Sequence, residues 1–335
     1  MDMAMRLAAA LAATFVLALP VAAQADPFLP PAGKVFAGVT GGYETSDFVR
    51  QTGQHPSVFQ FFGGWNQSLE YMFRGAERAR SRLMIHVDTR DSSGRERITP
   101  RGLARGKGDG YLLELGARIA ESGQPTYIRL MSEMDGNWNA YCAYTASGRP
   151  KGGAHTTGWY RQAWRRTVLI LRGGPLSSVN AKLRALHLPP VRGASGDLPR
   201  GRIAFLWVPQ VAGAPDVRGN APRAYWPGSR YVDWVGTDFY SKFPNFSGLE
   251  SFYRQFPRKP FAFAEWAMWG GDDPGFVRRL FGWARSHRRV RMMLYNQGKE
   301  SPGLFRLRRY PRARAALRHE LRAPRFVPFA PEYRR

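Results

Sequence analysis

The sequence predicts an α/β protein, a single-domain (β/α)8 TIM barrel, and three observations carry that expectation. Eight short apolar runs follow one another along the chain, and stretches with helical spacing or crossover length separate them. Two of these runs end on a glutamate with tryptophan nearby, at the strand end where such barrels keep their chemistry. No dinucleotide-type loop follows the first strand: Gly38-Val-Thr-Gly-Gly lacks a third glycine at the G-x-G-x-x-G spacing and the helix of an open doubly wound sheet.

The elements follow in order. Residues 1–25 read as a signal peptide: Arg6 supplies a short basic start, Leu7 to Val21 an apolar stretch, and Ala23-Gln24-Ala25 a small-x-small cleavage site. The expected mature barrel, residues 26–335, is exported to the periplasm or the medium. No later run reaches the roughly 18 apolar residues of a membrane span. Val35 to Thr40 reads as strand one and Val58 to Trp65 as strand two, and Leu69 to Arg80 has helical spacing. Arg82 to Thr89 is strand three. Asp109 to Ser122 is a helix with Asp109 as N-cap, because Leu112, Leu115, Ile119 and Ala120 share a face. Pro125 to Met134 is strand four and Trp159 to Arg172 the next helix, followed by a loop-rich passage through Leu186 and Gly196. Ile203 to Gln210, Tyr231 to Tyr240, Phe261 to Met268 and Val290 to Gln297 are strands five to eight. Helices over Leu249 to Phe256, Phe276 to His287 (with Pro274 in the first turn) and Arg312 to Leu321 complete the alternation.

Composition narrows the function classes. With 335 residues, 44% of them hydrophobic and 13% aromatic, the chain has the material for a large core. Its formal net charge of +25 is mostly arginine, heaviest from Arg306 to Arg335, and implies attraction to polyanions. For an exported chain these are an acidic polysaccharide or the anionic surface of the envelope. Nucleic acid is not expected, since no binding motif for it is present. The single cysteine, Cys142, precludes an intrachain disulfide and has no histidine beside it, so it reads as a buried or loop thiol. The six histidines lack paired spacing, and nothing calls for a metal or other cofactor.

The chemistry concentrates in two stretches. In Pro125 to Tyr141 (PTYIRLMSEMDGNWNAY) a buried strand carrying Arg129 leads to Glu133 and Asp135, then to the turn at Gly136 and to Trp138. In Pro260 to Trp269 (PFAFAEWAMW) a second strand leads to Glu265, Trp266 and Trp269. Two strand-end carboxyls among indoles suggest a glycoside hydrolase: one acts as acid/base, the other as nucleophile or base, and the rings stack on sugars. A buried Arg129 requires a carboxylate partner, which Asp238 at the end of strand six can supply. Trp65, Trp138, Trp266 and Trp269 all fall near strand ends as stacking candidates. His86 on strand three and Asn296 on strand eight are candidates for sugar hydroxyls, with structural roles equally open to them. Asp135 reads as a loop cap.

These stretches resemble glycoside hydrolase family 26. The resemblance rests on Asp109-Gly-Tyr111, on Ile128 through Trp138, on Tyr225 through Tyr240 and on Lys259-Pro260 through Glu265, and runs from about Phe36 to Asn296. It implies a (β/α)8 barrel with catalytic glutamates on strands four and seven, and retaining hydrolysis of a β-linked glycan, most often β-mannan. It also implies Glu133 as acid/base, Glu265 as nucleophile, Tyr240 as a hydrogen-bonding neighbour of the nucleophile and Trp138 as part of the sugar platform. The chain departs at Ser132, where the family has His, and at Asp135 and Gln210, where it has Asn; strand eight carries Tyr295-Asn296 in place of an aromatic pair. Those departures leave a second reading open, a non-catalytic carbohydrate-binding barrel in polysaccharide assembly or export. Oligomeric state is not legible.

Overall fold

The computed structural model describes residues 27–42, 44–298 and 303–334. Eight parallel strands close on themselves: β1 (Val35–Thr40), β2 (Val58–Gly63), β3 (Arg82–Val87), β4 (Thr126–Leu130), β5 (Ile203–Trp207), β6 (Trp234–Tyr240), β7 (Phe261–Ala267) and β8 (Val290–Asn296). Closure comes from β1, which pairs with β2 on one edge (Gly38 to Val58) and β8 on the other (Phe36 to Met292). The signal-peptide expectation lies outside the described residues.

The helices are α1 (Ser46–Thr52), α2 (Glu70–Arg78), α3 (Pro100–Ala104), α4 (Asp109–Ser122), α5 (Thr157–Arg172), α6 (Leu176–Ala185), α7 (Phe246–Arg254), α8 (Pro274–Ser286) and α9 (Pro311–Leu321). Local chemistry starts several of them. The Thr156 side chain accepts from the Trp159 N–H at the head of α5, and Asp273 caps α8 ahead of Pro274. Asp109 is not the cap expected for α4. Gly108 occupies that position, and the Asp109 carboxylate is drawn inward to the buried guanidinium of Arg166 on α5. A helix, α6, also occupies the passage read as loop. Between β5 and β6 the chain crosses over in three short 3-10 turns, Arg218–Asn220, Pro222–Tyr225 and Ser229–Tyr231, with no α-helix.

Side chains alternate strictly on most strands, which sorts the core into two layers. Phe36, Val58, Met84, Tyr127, Leu206, Trp234, Ala262 and Leu294 fill the barrel interior. Their neighbours one residue on, such as Phe59, Ile85, Ile128, Trp207, Val235 and Phe263, pack outward into the helix layer. The same alternation, carried up each strand, lifts Gln60, His86, Arg129, Asp238, Tyr240 and Asn296 toward the carboxyl-terminal mouth.

At the opposite end the segments around Phe28 and from Phe326 to Glu332 cover the barrel. β9 (Phe326–Val327) pairs with the lower part of β1, and Ser57 Oγ donates to the Val327 carbonyl. Arg82, buried under this cover, holds Glu332 at 2.6 and 2.9 Å and donates to the Phe28 carbonyl.

Candidate active site

Glu265 reaches the mouth because β7 breaks its own alternation. Ala262 and Ala264 point into the barrel and Phe261 and Phe263 point out, so Glu265 should also point out. The register shifts between Thr237 and Asp238 on the β6 side and between Phe263 and Trp266 on the β8 side. This bulge turns two consecutive residues inward, a common device for re-aiming a functional side chain. Trp266 then resumes the outward series. It is 1% exposed, edge-on to Phe281 and Tyr295, and belongs to the core, contrary to the stacking role expected of it.

The Glu265 carboxylate is held from all sides. Oε1 accepts from the guanidinium of Arg129 and, at 3.2 Å, from Gln60 Nε2. Oε2 accepts from the Tyr240 hydroxyl and from Asn296 Nδ2, both at 2.7 Å. Arg129 also donates to Asp238, which answers the question of its partner. Burial alone would raise the Glu265 pKa; the Arg129 charge and the hydrogen bonds from Tyr240 and Arg129 override it and hold the group below its ordinary value. Glu265 is an ionised carboxylate.

Glu133 stands just beyond the end of β4 with φ +50°, and Met131 before it has φ +42°. Side chains rarely adopt that left-handed conformation, so the loop must be tied down, at a strain of about 1–3 kcal/mol per residue. The Glu133 N–H donates to the Val208 carbonyl at 2.7 Å, Asn139 Nδ2 donates to the Glu133 carbonyl at 2.9 Å, and the Tyr141 hydroxyl donates to the Ser132 carbonyl at 2.6 Å. The Glu133 carboxyl is half-buried and accepts from Trp138 Nε1 at 2.9 Å and from Gln210 Nε2 at 2.6 Å. Burial first, then the Glu265 charge, raise its pKa. The same causes raise Asp238 against the pull of Arg129. Three carboxyls therefore lie around one buried guanidinium, with Glu133 and Asp238 shifted toward the protonated form and Glu265 toward the ionised one.

The other expected residues divide. Trp138 is 51% exposed with its N–H on Glu133, so its ring is free at the mouth. Trp269 is half-buried and edge-on to Tyr240 and to the exposed Phe243, with Phe305 beside it. Trp65 departs from the expectation: it is 5% exposed and packs on Tyr111 of α4 at 4.6 Å, so no face is open to a sugar. His86 is near Arg129, and both ring nitrogens are buried without a partner; burial and the Arg129 charge lower its pKa to about 4. It is neutral at neutral pH. Asp135 is buried and takes the Gln210 N–H at 2.9 Å, so it fastens the loop that brings Gln210 to Glu133. Cys142 is buried and unreactive by position, with burial raising its thiol.

Sequence reasoning missed Gln60, which touches Glu265, Arg129 and Thr40. Its signal was available, as the one polar residue at an inward position of VFQFFG. It also missed the grip of Gln210 on Glu133 and the aromatics Phe243 and Phe305, which sit in loops where no periodicity marks them. Among the described residues no group of three His, Cys, Asp or Glu side chains is placed to hold a metal ion.

Fold and site together define a (β/α)8 barrel with two unlike carboxyls, one at the end of β4 and one on β7, sharing a single mouth. Among solved structures, the chain is similar to a family 26 β-mannanase of Bacteroides ovatus (TM-score 0.56, 15% identity, covering 89% of this chain and 91% of that one). It is also similar to a modular endo-β-1,4-mannanase of Cellulomonas fimi (TM-score 0.57, 17% identity, 90% and 73%) and to a Bacillus subtilis mannanase (TM-score 0.54, 14% identity, 90% and 88%). At such identities the likeness is one of fold, and the chain has the fold of the family 26 mannanases. No protein-family model matches the sequence. No curated protein matches it either.

Proposed function

We propose that the protein is an exported, retaining endo-β-glycanase, with Glu265 as nucleophile and Glu133 as acid/base. One observation carries this reading: the two carboxyls of one mouth are pushed in opposite directions, Glu265 held below the ordinary carboxylate value by Arg129 and Tyr240 and Glu133 raised above it by burial and the Glu265 charge. Double displacement uses that division of labour, one carboxyl as acid and the other as nucleophile. The Glu265 carboxylate attacks the anomeric carbon while Glu133 gives its proton to the departing glycosidic oxygen. Glu133, now a carboxylate, takes a proton from water, and that water attacks the anomeric carbon and frees Glu265. Trp138 offers a stacking face beside the acid, and Trp269 with Phe243 offers a second beside Tyr240. His86, with both ring nitrogens buried, is a neutral neighbour of Arg129 behind the carboxyls.

The substrate class is a β-linked polysaccharide, mannan-like or acidic. The family 26 mannanase fold favours the former and the net charge the latter. Export rests on the amino-terminal pattern of residues 1–25. The test is release of reducing ends from β-mannan, mixed-linkage glucan, xylan and acidic exopolysaccharides by the wild type beside Glu265→Ala. Release that the variant abolishes is the expected result. No release from any of the glycans, together with retained binding to one of them, would make the barrel a binding protein instead.

A further inference from the structure

On the outer wall of the barrel, a cavity of about 500 Å³ opens between the first turns of α5 and the irregular crossover from β5 to β6. Thr156, Trp159, Arg161, Gln162, Arg165 and Trp226 line it, and none of them belongs to the carboxyl site. It holds two guanidiniums and no carboxylate. Three deeply buried arginines are matched by carboxylates, Arg82 with Glu332, Arg129 with Asp238 and Glu265, Arg166 with Asp109. Arg161 and Arg165 are half-buried and have no carboxylate partner.

Arg161 and Arg165 are held by backbone carbonyls. Arg161 Nη1 donates to the Ala224 carbonyl and Arg165 Nε to the Pro227 carbonyl, both at 2.8 Å. One N–H of each fork is used, and the rest of the donors remain. Burial lowers the Arg165 pKa; Tyr231, over whose ring the guanidinium lies at 5.7 Å, opposes that, and the neighbouring Arg161 and Arg230 add to it. Two more, Arg101 and Arg105, lie over the Trp159 ring at 5.7 and 5.2 Å. Trp226 is fixed by Trp207 and Phe256 at 4.9 and 4.6 Å between ring centres. Gln162 Oε1 is buried without a donor.

We infer that this cavity binds an acidic polysaccharide through carboxylate-bearing sugar residues, at a site separate from the catalytic mouth. A guanidinium fork matches a carboxylate with two parallel hydrogen bonds, and rigid indoles beside it suit the apolar face of a pyranose. The volume lies within the range of about 300–1,000 Å³ usual for ligand pockets. The inference stands whether or not the barrel hydrolyses anything.

The test measures binding of the mature chain carrying Glu265→Ala to polygalacturonate, with galactomannan as neutral control and phosphatidylserine vesicles as the lipid arm. Because the whole molecule is basic, Arg161→Gln/Arg165→Gln is compared with Arg258→Gln/Arg278→Gln, which removes equal charge from exposed positions of other elements. Gln can keep a donor for the backbone carbonyls, and an unchanged thermal midpoint verifies the fold. The expected result is about a tenfold weaker affinity for polygalacturonate in the first variant and less than about a twofold change in the second, with galactomannan unaffected in both. Equal losses in the two variants, no loss in the first, no binding to polygalacturonate at all, or a loss confined to vesicles would each overturn the inference.

Discussion

Glu133 and Glu265 are the same side chain in two environments, and the difference has a direct kinetic reading. Under the proposed double displacement, activity requires Glu265 ionised and Glu133 protonated, so it should fall at low pH as the depressed Glu265 titrates and at high pH as the raised Glu133 titrates. The profile of kcat/KM against pH is therefore bell-shaped. In Glu133→Gln the alkaline limb disappears and turnover of polysaccharide falls about 10²–10⁴-fold, while an aryl glycoside with a good leaving group reacts to its glycosyl-enzyme at near the parent rate. Burst kinetics on that glycoside checks the assignment; equal damage to both substrates would contradict it. Tyr240→Phe removes one of the donors that lower Glu265, so the acid limb moves to higher pH and kcat/KM falls about 10–100-fold, the scale of one charge-assisted hydrogen bond. An unmoved acid limb would deny Tyr240 that role. Both glutamates, Arg129, Asp238, Tyr240 and Asn296 were legible because each sits at or near a strand end. Trp65 and Trp266 were misassigned because proximity to a strand end says nothing about direction: a tryptophan on the outward series fills the helix layer instead of the mouth.

Strand existence was easier to read than strand length. Strand four was expected to run to Met134, but β4 stops at Leu130 because Met131 and Glu133 take left-handed backbone, a conformation that residue type alone does not announce. α6 went unread because its apolar positions are few, with only Val179 and Leu183 buried. The bulge in β7 likewise left no mark in composition, although it decides that Glu265 points inward. Asp109 shows a tertiary demand overriding a local one. Its carboxylate accepts from Arg166 Nε at 2.7 Å and from the Arg192 N–H at 2.8 Å, so it joins α4 to α5 and to the segment after α6. Asp109→Ala strands a fully buried guanidinium, and the expected loss is about 3–5 kcal/mol of unfolding free energy, measured as a lower urea midpoint with unchanged slope. A loss below about 1 kcal/mol would mean that the pair is replaceable, as a solvated cap would be.

At the scale of the whole molecule the barrel separates its chemistry from its closure. The carboxyls occupy the carboxyl-terminal mouth, and the opposite end is sealed by the segment from Phe326 onward, stapled through Arg82 to Glu332. Arg82 is 5% and Glu332 21% exposed at the side chain, so the pair lies largely out of water. Burial would raise the Glu332 pKa, but the Arg82 hydrogen bonds and charge override it and lower the group below its usual value of 4.5. A carboxylate depressed in the folded state contributes stability above the unfolded value and loses it as pH falls through the folded one. Glu332→Gln should therefore cost about 1–2 kcal/mol at neutral pH, and the gap between variant and parent should close as pH drops below about 4.5. Thermal midpoints across that range check it, read beside kcat/KM at a temperature where both proteins are folded. Because the staple and the mouth lie at opposite ends of the strands, kcat/KM should stay within about twofold of the parent. A gap in midpoint that persists at low pH would mean that Glu332 acts through packing alone. A parallel fall in kcat/KM would mean that the two ends of the barrel are coupled.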